Sequence, residues 1–276
     1  MPPGPTTDQS PPARVRRSLH EDPGAPRVVD AAVAEFQRAS GSIGLPPLVV
    51  VIAALDEEPS IGAVLDEVPD TVAGLATRVL VVDDGSTDGT ASVAARHGAL
   101  VARLTRNCGH GVALRAGYRL AREGGARYIA TLDADGQWDP ADLPAMVALL
   151  EADRADLVIG SRQLGSTHND DAVRNLGVRF FSAVISLLTR TRVTDSSSGL
   201  RAMRVEVTSR VRQTQPQYQT SELLIGAIFQ GFRIAEVPTV MRARGAGTSK
   251  KGRNVFYGTR YAQVIIRTWW RERHSR

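Results

Sequence analysis

The run LVVVIAAL at residues 48–55 sets the terms for this chain. Eight apolar residues without polar alternation, rich in β-branched side chains, suit a strand covered on both faces, as in a parallel sheet. Parallel strands need long crossovers, and the sequence supplies them. Residues 60–68 read as a helix, 78–84 (RVLVVDD) as a second strand, 90–97 as a helix and 99–104 (ALVARL) as a third strand. HGVALRAGYRLAREGG at 110–125 is helical with a glycine stop. Then come a strand at 126–135 (ARYIATLDAD), a helix at 139–153 and a strand at 155–162 (ADLVIGSR). The alternation predicts an open, mostly parallel α/β sheet flanked by helices, with ligands at the carboxyl ends of its strands.

The second half is less regular: a helix at 178–190, a turn (DSSSGLRAM) entering a short strand, a helix at 220–231 and a strand at 232–244. Three parts are expected. Residues 1–46 form an N-terminal extension, a proline-rich disordered arm plus a short helix over 28–38; residues 47–253 form the main domain; residues 254–276 form a basic amphipathic helix.

Several classes fall away on composition. With 276 residues, 42% hydrophobic and 23% charged, the chain reads as globular. One cysteine, Cys108, excludes an intrachain disulfide framework and fits a reducing, cytoplasmic setting. No apolar run reaches the roughly 18–20 residues that span a bilayer, and residues 1–17 lack a signal-peptide core. A net charge of +5 favours anionic partners, but no nucleic-acid-binding pattern accompanies it.

Three of the strands end in acid: Asp56-Glu57-Glu58, Asp83-Asp84 and Asp133-x-Asp135. Acidic loops gathered on one sheet edge repel one another unless a cation or sugar hydroxyls lie between them. Asp88 and Asp139 are better read as helix caps. Strand alternation puts Asp133 and Asp135 on one face, a hard-oxygen pair suited to Mg²⁺ or Mn²⁺, with Gln137 as a neutral oxygen. Such a sparse donor set implies a substrate diphosphate completing the shell. Gly109-x-Gly111 lacks the third glycine of a dinucleotide fingerprint, because Leu114 stands there. Its backbone amides still suit a phosphate or sugar oxygen.

Taken in order, VVDDGSTDGT, TRNCGHGVALRAG, TLDADGQWDP, GSR, DSSSGLRA and EVPTVMRARGAGTSKK resemble the inverting family 2 glycosyltransferases of the GT-A fold. The branch most resembled contains the dolichyl- and polyprenyl-phosphate mannosyl- or glucosyltransferases. The resemblance spans about residues 47–253 and implies a Rossmann-like nucleotide-binding half joined to an acceptor-binding half. It implies that Glu57 and Asp84 contact base and ribose, and that Asp133, Asp135 and Gln137 hold a metal on the donor diphosphate. Arg162, Arg174 and Arg179, with Arg201, would face an acceptor phosphate. Arg244, Ser249 and Lys250 lie in the segment that closes over the diphosphate in relatives. Ala53 and Asp56 replace the family's usual proline and asparagine, and His110 replaces a common basic residue between two glycines.

The expected reaction moves a hexosyl group from a nucleoside-diphosphate sugar, of the GDP-mannose or UDP-glucose type, to a polyprenyl phosphate. Asp195 and Glu222 are the candidates for a base, which a hydroxyl acceptor needs and an ionised phosphate does not. The alternatives are a glycosyltransferase acting on a soluble hydroxyl acceptor, or a non-catalytic sugar-nucleotide-binding protein. The tail places Tyr257, Tyr261, Val264, Ile265, Thr268 and Trp269 at helical spacing beside arginines. That pattern fits peripheral contact with the inner face of a membrane, or packing against the domain.

Overall fold

A computed structural model gives the structure of the protein and describes residues 23–41, 44–168, 172–243 and 255–275. Eight strands are described, all in one sheet: β1 (Leu48–Ala54), β2 (Thr71–Val72), β3 (Leu75–Asp83), β4 (Leu100–Arg103), β5 (Tyr128–Asp133), β6 (Leu157–Thr167), β7 (Arg201–Arg204) and β8 (Ile234–Met241). The order runs β3-β1-β5-β7-β6-β8, with β4 parallel and the two-residue β2 antiparallel, both on β3. Only β7 runs against its neighbours inside the sheet.

The opening strand behaves as its composition demands. Val49, Val51 and Ala53 enter one core, while Leu48, Val50, Ile52 and Ala54 enter the other. Every residue of β1 is buried. Helices α2 (Glu58–Glu67), α3 (Thr90–Arg96) and α5 (Leu143–Glu151) cover one face. On the other lie α1 (Ala25–Ser40), α4 (His110–Glu123), α6 (Ala172–Thr189), α7 (Val205–Arg210), α8 (Gln219–Phe229) and α9 (Val255–His274).

Two expectations change and one open alternative is decided. The N-terminal helix is no appendage: α1 buries Ala25, Ala32 and Val33 in the core, and Asp30 accepts from Arg119 Nη1 at 2.6 Å. The arm before it lies outside the described residues. The helix expected over 139–153 is split, with a 3-10 turn (Pro140–Asp142) preceding α5. The tail stripe packs inward: Tyr261, Val264, Ile265 and Thr268 are buried, and the Trp269 indole donates to Leu188 O at 3.0 Å. Of Tyr257, only its place in α9 is described. No helix among the described residues is long and apolar enough to cross a membrane.

Candidate active site

Sheet register gathers the acidic loops. Ala54 at the end of β1 pairs with Asp83 of β3, and Ala53 pairs with Asp133 of β5. After β1 the chain crosses to β3 on one side, then returns to β5 on the other, so the three loops flank a topological switch point.

The first two loops are laced together. Asp56 sits in the left-handed region at φ 47°, which aspartate tolerates better than most side chains. Its N–H donates to Ser86 Oγ at 2.9 Å, and its carboxylate accepts from the Thr87 N–H at 2.8 Å. The Glu57 N–H donates to Thr90 Oγ1 at 2.8 Å, and its carboxylate accepts from Ser60 Oγ at 3.0 Å. Asp139 caps the turn after β5, accepting from the Ala141 N–H at 2.9 Å, whereas the N-cap of α3 is Gly89 and Asp88, one residue before it, accepts from the Thr90 N–H at 3.0 Å and the Glu58 N–H at 3.2 Å.

Asp83 is fully buried. One oxygen accepts from the Ser86 N–H at 2.8 Å and the other lies 3.1 Å from Arg103 Nε. Asp84, also buried, accepts from the N–H groups of Cys108 at 2.8 Å and Gly109 at 2.9 Å. Burial pushes its carboxyl up to about 7, opposed by those two amides and reinforced by Asp83. Gly109 adopts φ 106° where α4 begins, and a Cβ there would lie 2.7 Å from Pro216 O. The Gly111 N–H donates to Pro216 O at 2.9 Å. Both glycines therefore meet the loop before α8.

Asp133 ends β5, and Asp135 lies in the turn beyond it, with Gly136 at φ 71°. The alternation expected for the pair therefore does not hold, because the strand stops at its first member. The turn also brings in Trp138, which lies outside the expected set: its indole donates to Asp133 Oδ2 at 3.1 Å. The Gln137 N–H donates to Asp135 Oδ1 at 3.1 Å. Gln137 is tied to the end of β8, where the Arg242 N–H donates to its carbonyl at 2.8 Å. Any side chain at Gly199 would overlap the Asp133 carboxylate, so glycine there lets the TDSSSG loop close onto the acid. A cleft beside it is lined by His110, Tyr118, Thr131, Asp133, Arg201 and Gln219.

Two carboxylates and an amide, all hard oxygen donors, fit Mg²⁺ or Mn²⁺ when a diphosphate and water supply the rest of the shell. Among the described residues no group of three or more acidic, histidine or cysteine side chains could hold a metal by itself.

The acceptor-side residues do not form one open cluster. Arg162 is buried, with Nε donating to Asp195 Oδ2 at 2.7 Å and Nη2 to Oδ1 at 2.9 Å. Its guanidinium also lies 5.5 Å from the centre of the Trp138 ring, linking the acid turn to the TDSSSG loop. Arg201 is buried with its three nitrogens donating to the carbonyls of Ser198, Thr220 and Ser196, and desolvation lowers its pKa. These two arginines shape the loop rather than face a phosphate. Arg174 is half-buried and Arg179 exposed on α6, where Arg179 Nε donates to Gln163 Oε1 at 2.8 Å. Arg244, Ser249 and Lys250 lie outside the described residues.

Neither base candidate fits that role. Asp195 has no exposed surface and both of its oxygens are on Arg162. Glu222 is equally buried and accepts four donors: Thr214 N–H at 2.8 Å, Thr214 Oγ1 at 3.0 Å, Gln215 N–H at 2.9 Å and Arg271 Nη1 at 2.9 Å. It clasps α9 to the loop whose Gln215 and Pro216 carbonyls receive Arg115 and Gly111. A sequence shows an acid after a serine, and convergence of four donors on it only appears in three dimensions. Trp138 does carry a signal in the sequence, an indole N–H five residues beyond Asp133.

Comparison with known proteins adds identity to this geometry. The model of glycosyl transferase family 2 matches residues 49–212. A dolichyl-phosphate hexose transferase of Haloferax volcanii is 32% identical over 73% of this chain and 85% of its own. An undecaprenyl-phosphate mannosyltransferase of Micrococcus luteus is 33% identical over 69% of this chain and 80% of its own. Among solved structures, glucosyl-3-phosphoglycerate synthase from Mycobacterium tuberculosis, in complex with Mn²⁺, UDP-glucose and phosphoglyceric acid, aligns with a TM-score of 0.65. It covers 86% of this chain and 84% of its own, at 22% identity, a likeness of fold.

Proposed function

The chain belongs to glycosyl transferase family 2 and is a glycosyltransferase of the GT-A fold, and from that premise we propose that it transfers a hexosyl group from a nucleoside-diphosphate sugar to a polyprenyl phosphate. The relatives in Haloferax and Micrococcus bear names with lipid-phosphate acceptors, which supports this acceptor class. The observation that carries the reading is the state of Asp195 and Glu222, themselves fully buried, whose oxygens are engaged by Arg162 and by Thr214, Gln215 and Arg271 respectively. A hydroxyl nucleophile needs a base within reach, whereas a phosphate monoester arrives ionised and needs only cationic positioning.

In this mechanism Asp84 and Glu57 receive base and ribose at the β1 and β3 loops. Asp133, Asp135 and Gln137 would hold Mg²⁺ or Mn²⁺, which offsets negative charge on the diphosphate as it departs. Trp138 fixes one Asp133 oxygen and so orients that carboxylate. The acceptor phosphate approaches from the α6 side, where Arg174 and Arg179 lie, and displaces the diphosphate in line with inversion at the anomeric carbon. Arg244, Ser249 and Lys250 belong to the segment assigned to the diphosphate.

The test supplies radiolabelled UDP- or GDP-hexoses, Mn²⁺ and a short-chain polyprenyl phosphate. Label extracted with the lipid is the expected result. Label reaching a soluble hydroxyl acceptor, and none in lipid, would replace this acceptor with the alternative one. Asp135→Ala should abolish transfer to either, and retained activity would refute the metal assignment.

A further inference from the structure

Helix α6 carries an apolar stripe that nothing described in the chain covers. Val173 is 82% exposed, Leu176 68%, Phe180 61% and Leu187 80%. Their spacing of three, four and seven residues puts them on one face of the helix. Four large apolar side chains in a row on a surface mark a contact site. The opposite side of α6 is buried, through Val178, Ser182 and Ile185, so the stripe is no by-product of a detached helix.

Charge selects the occupant. Helix α6 contains no acidic residue, its two charged side chains are Arg174 and Arg179, and the exposed Arg190 and Arg192 follow it. Asp170 and Asp171 precede it in sequence. Helix α9 runs parallel alongside: Phe181 packs edge-on against Tyr261 with centroids 4.8 Å apart, and farther along Trp269 bonds Leu188 O. That helix adds its own exposed Ile266 and Trp270, with Arg267 and Arg273 exposed beside them. An apolar stripe flanked by arginines fits the headgroup–acyl boundary of an anionic bilayer.

Position agrees. The Arg179–Gln163 bond joins α6 to β6 one residue beyond Arg162, which holds the TDSSSG loop. We infer that the exposed face of α6, extended by Ile266 and Trp270 of α9, docks this protein on an anionic lipid surface. This rests on the polyprenyl-phosphate reading for its purpose, because a lipid-linked acceptor would then enter beside the docked helix. It differs from the sequence expectation in its element: the surface is mainly α6, and most of the tail stripe packs inward.

The test uses the full chain and sedimentation with vesicles of phosphatidylcholine alone or mixed with phosphatidylglycerol. Binding to the mixed vesicles, weakened by salt and lowered at least about tenfold in L176E/F180E, is expected. Both positions are exposed, so the variant should keep its melting temperature and its transfer to a short-chain, water-soluble polyprenyl phosphate, while losing transfer to a long-chain acceptor embedded in vesicles. Equal sedimentation of variant and parent would overturn the proposal. So would a parent that ignores anionic vesicles, or one that is a dimer in solution made monomeric by L176E/F180E, which would assign the stripe to a second copy. If vesicles bind but no label enters lipid, the acceptor reading fails and the docking surface stands.

Discussion

Asp84, which we propose contacts the nucleotide, is a buried acid whose titration is shifted by the fold. Its folded pKa of about 7 exceeds the unfolded value of 3.8, so its contribution to stability is present in full at low pH and is lost as pH rises through 7. Asp84→Asn removes the titration. The stability of the variant relative to the parent should therefore rise between pH 4 and 8, measured by denaturant unfolding across that range. The rise should reach up to roughly 4 kcal/mol, at about 1.4 kcal/mol for each tenfold difference in proton affinity between the folded and unfolded chain. A flat difference would mean that the two amide donors hold the carboxylate ionised throughout. At this scale the acids of the candidate site were legible, since Asp84, Asp133 and Asp135 announce themselves after apolar runs that the sheet register brings side by side. Asp195 and Glu222 read the same way in one dimension, and burial with full sets of donors gives them another task. Replacing Asp195 with alanine would leave Arg162 buried without its partner, at a cost of about 3–5 kcal/mol, read as a lowered unfolding midpoint; a change under about 1 kcal/mol would mean that water replaces the carboxylate.

Among elements, apolar strands were the easiest to read and pieces of a single turn or a residue pair the hardest. The apolar runs of β1, β3 and β5 are dictated by burial on both faces, which leaves no room for polar alternation. The two-residue β2 and the six-residue α7 were not anticipated, because their placement depends on partners far along the chain. The tail helix was ambiguous for a physical reason: periodicity shows that a face is apolar, not what covers it. Its link to the site runs through Glu222. Arg271→Ala removes one of four donors and should lower stability by about 1–3 kcal/mol. Because the 214–216 loop also receives Gly111, KM for the donor should rise more than kcat falls. Thermal unfolding and steady-state kinetics check the two halves, and an unchanged KM would confine Arg271 to a structural role.

Over the whole molecule, one sheet gathers the candidate site's acids at its switch point, and the parallel helices α6 and α9 lie on the face that also carries α4 and α8. A nucleoside diphosphate with Mn²⁺ should raise the melting temperature, and the gain should shrink on adding chelator or in Asp135→Ala. A gain indifferent to metal would place the diphosphate away from the aspartates. The path Arg271–Glu222–Gln215–Pro216–Gly111 then has a consequence for regulation by location. Two sites joined through a shared element are coupled reciprocally: whatever factor one ligand adds to the grip of the other, it receives in return. A surface that steadies α9 would sharpen the hold on the sugar nucleotide, and a loaded donor site would prolong residence on the surface. Such an enzyme would be most avid for its donor where its acceptor already lies.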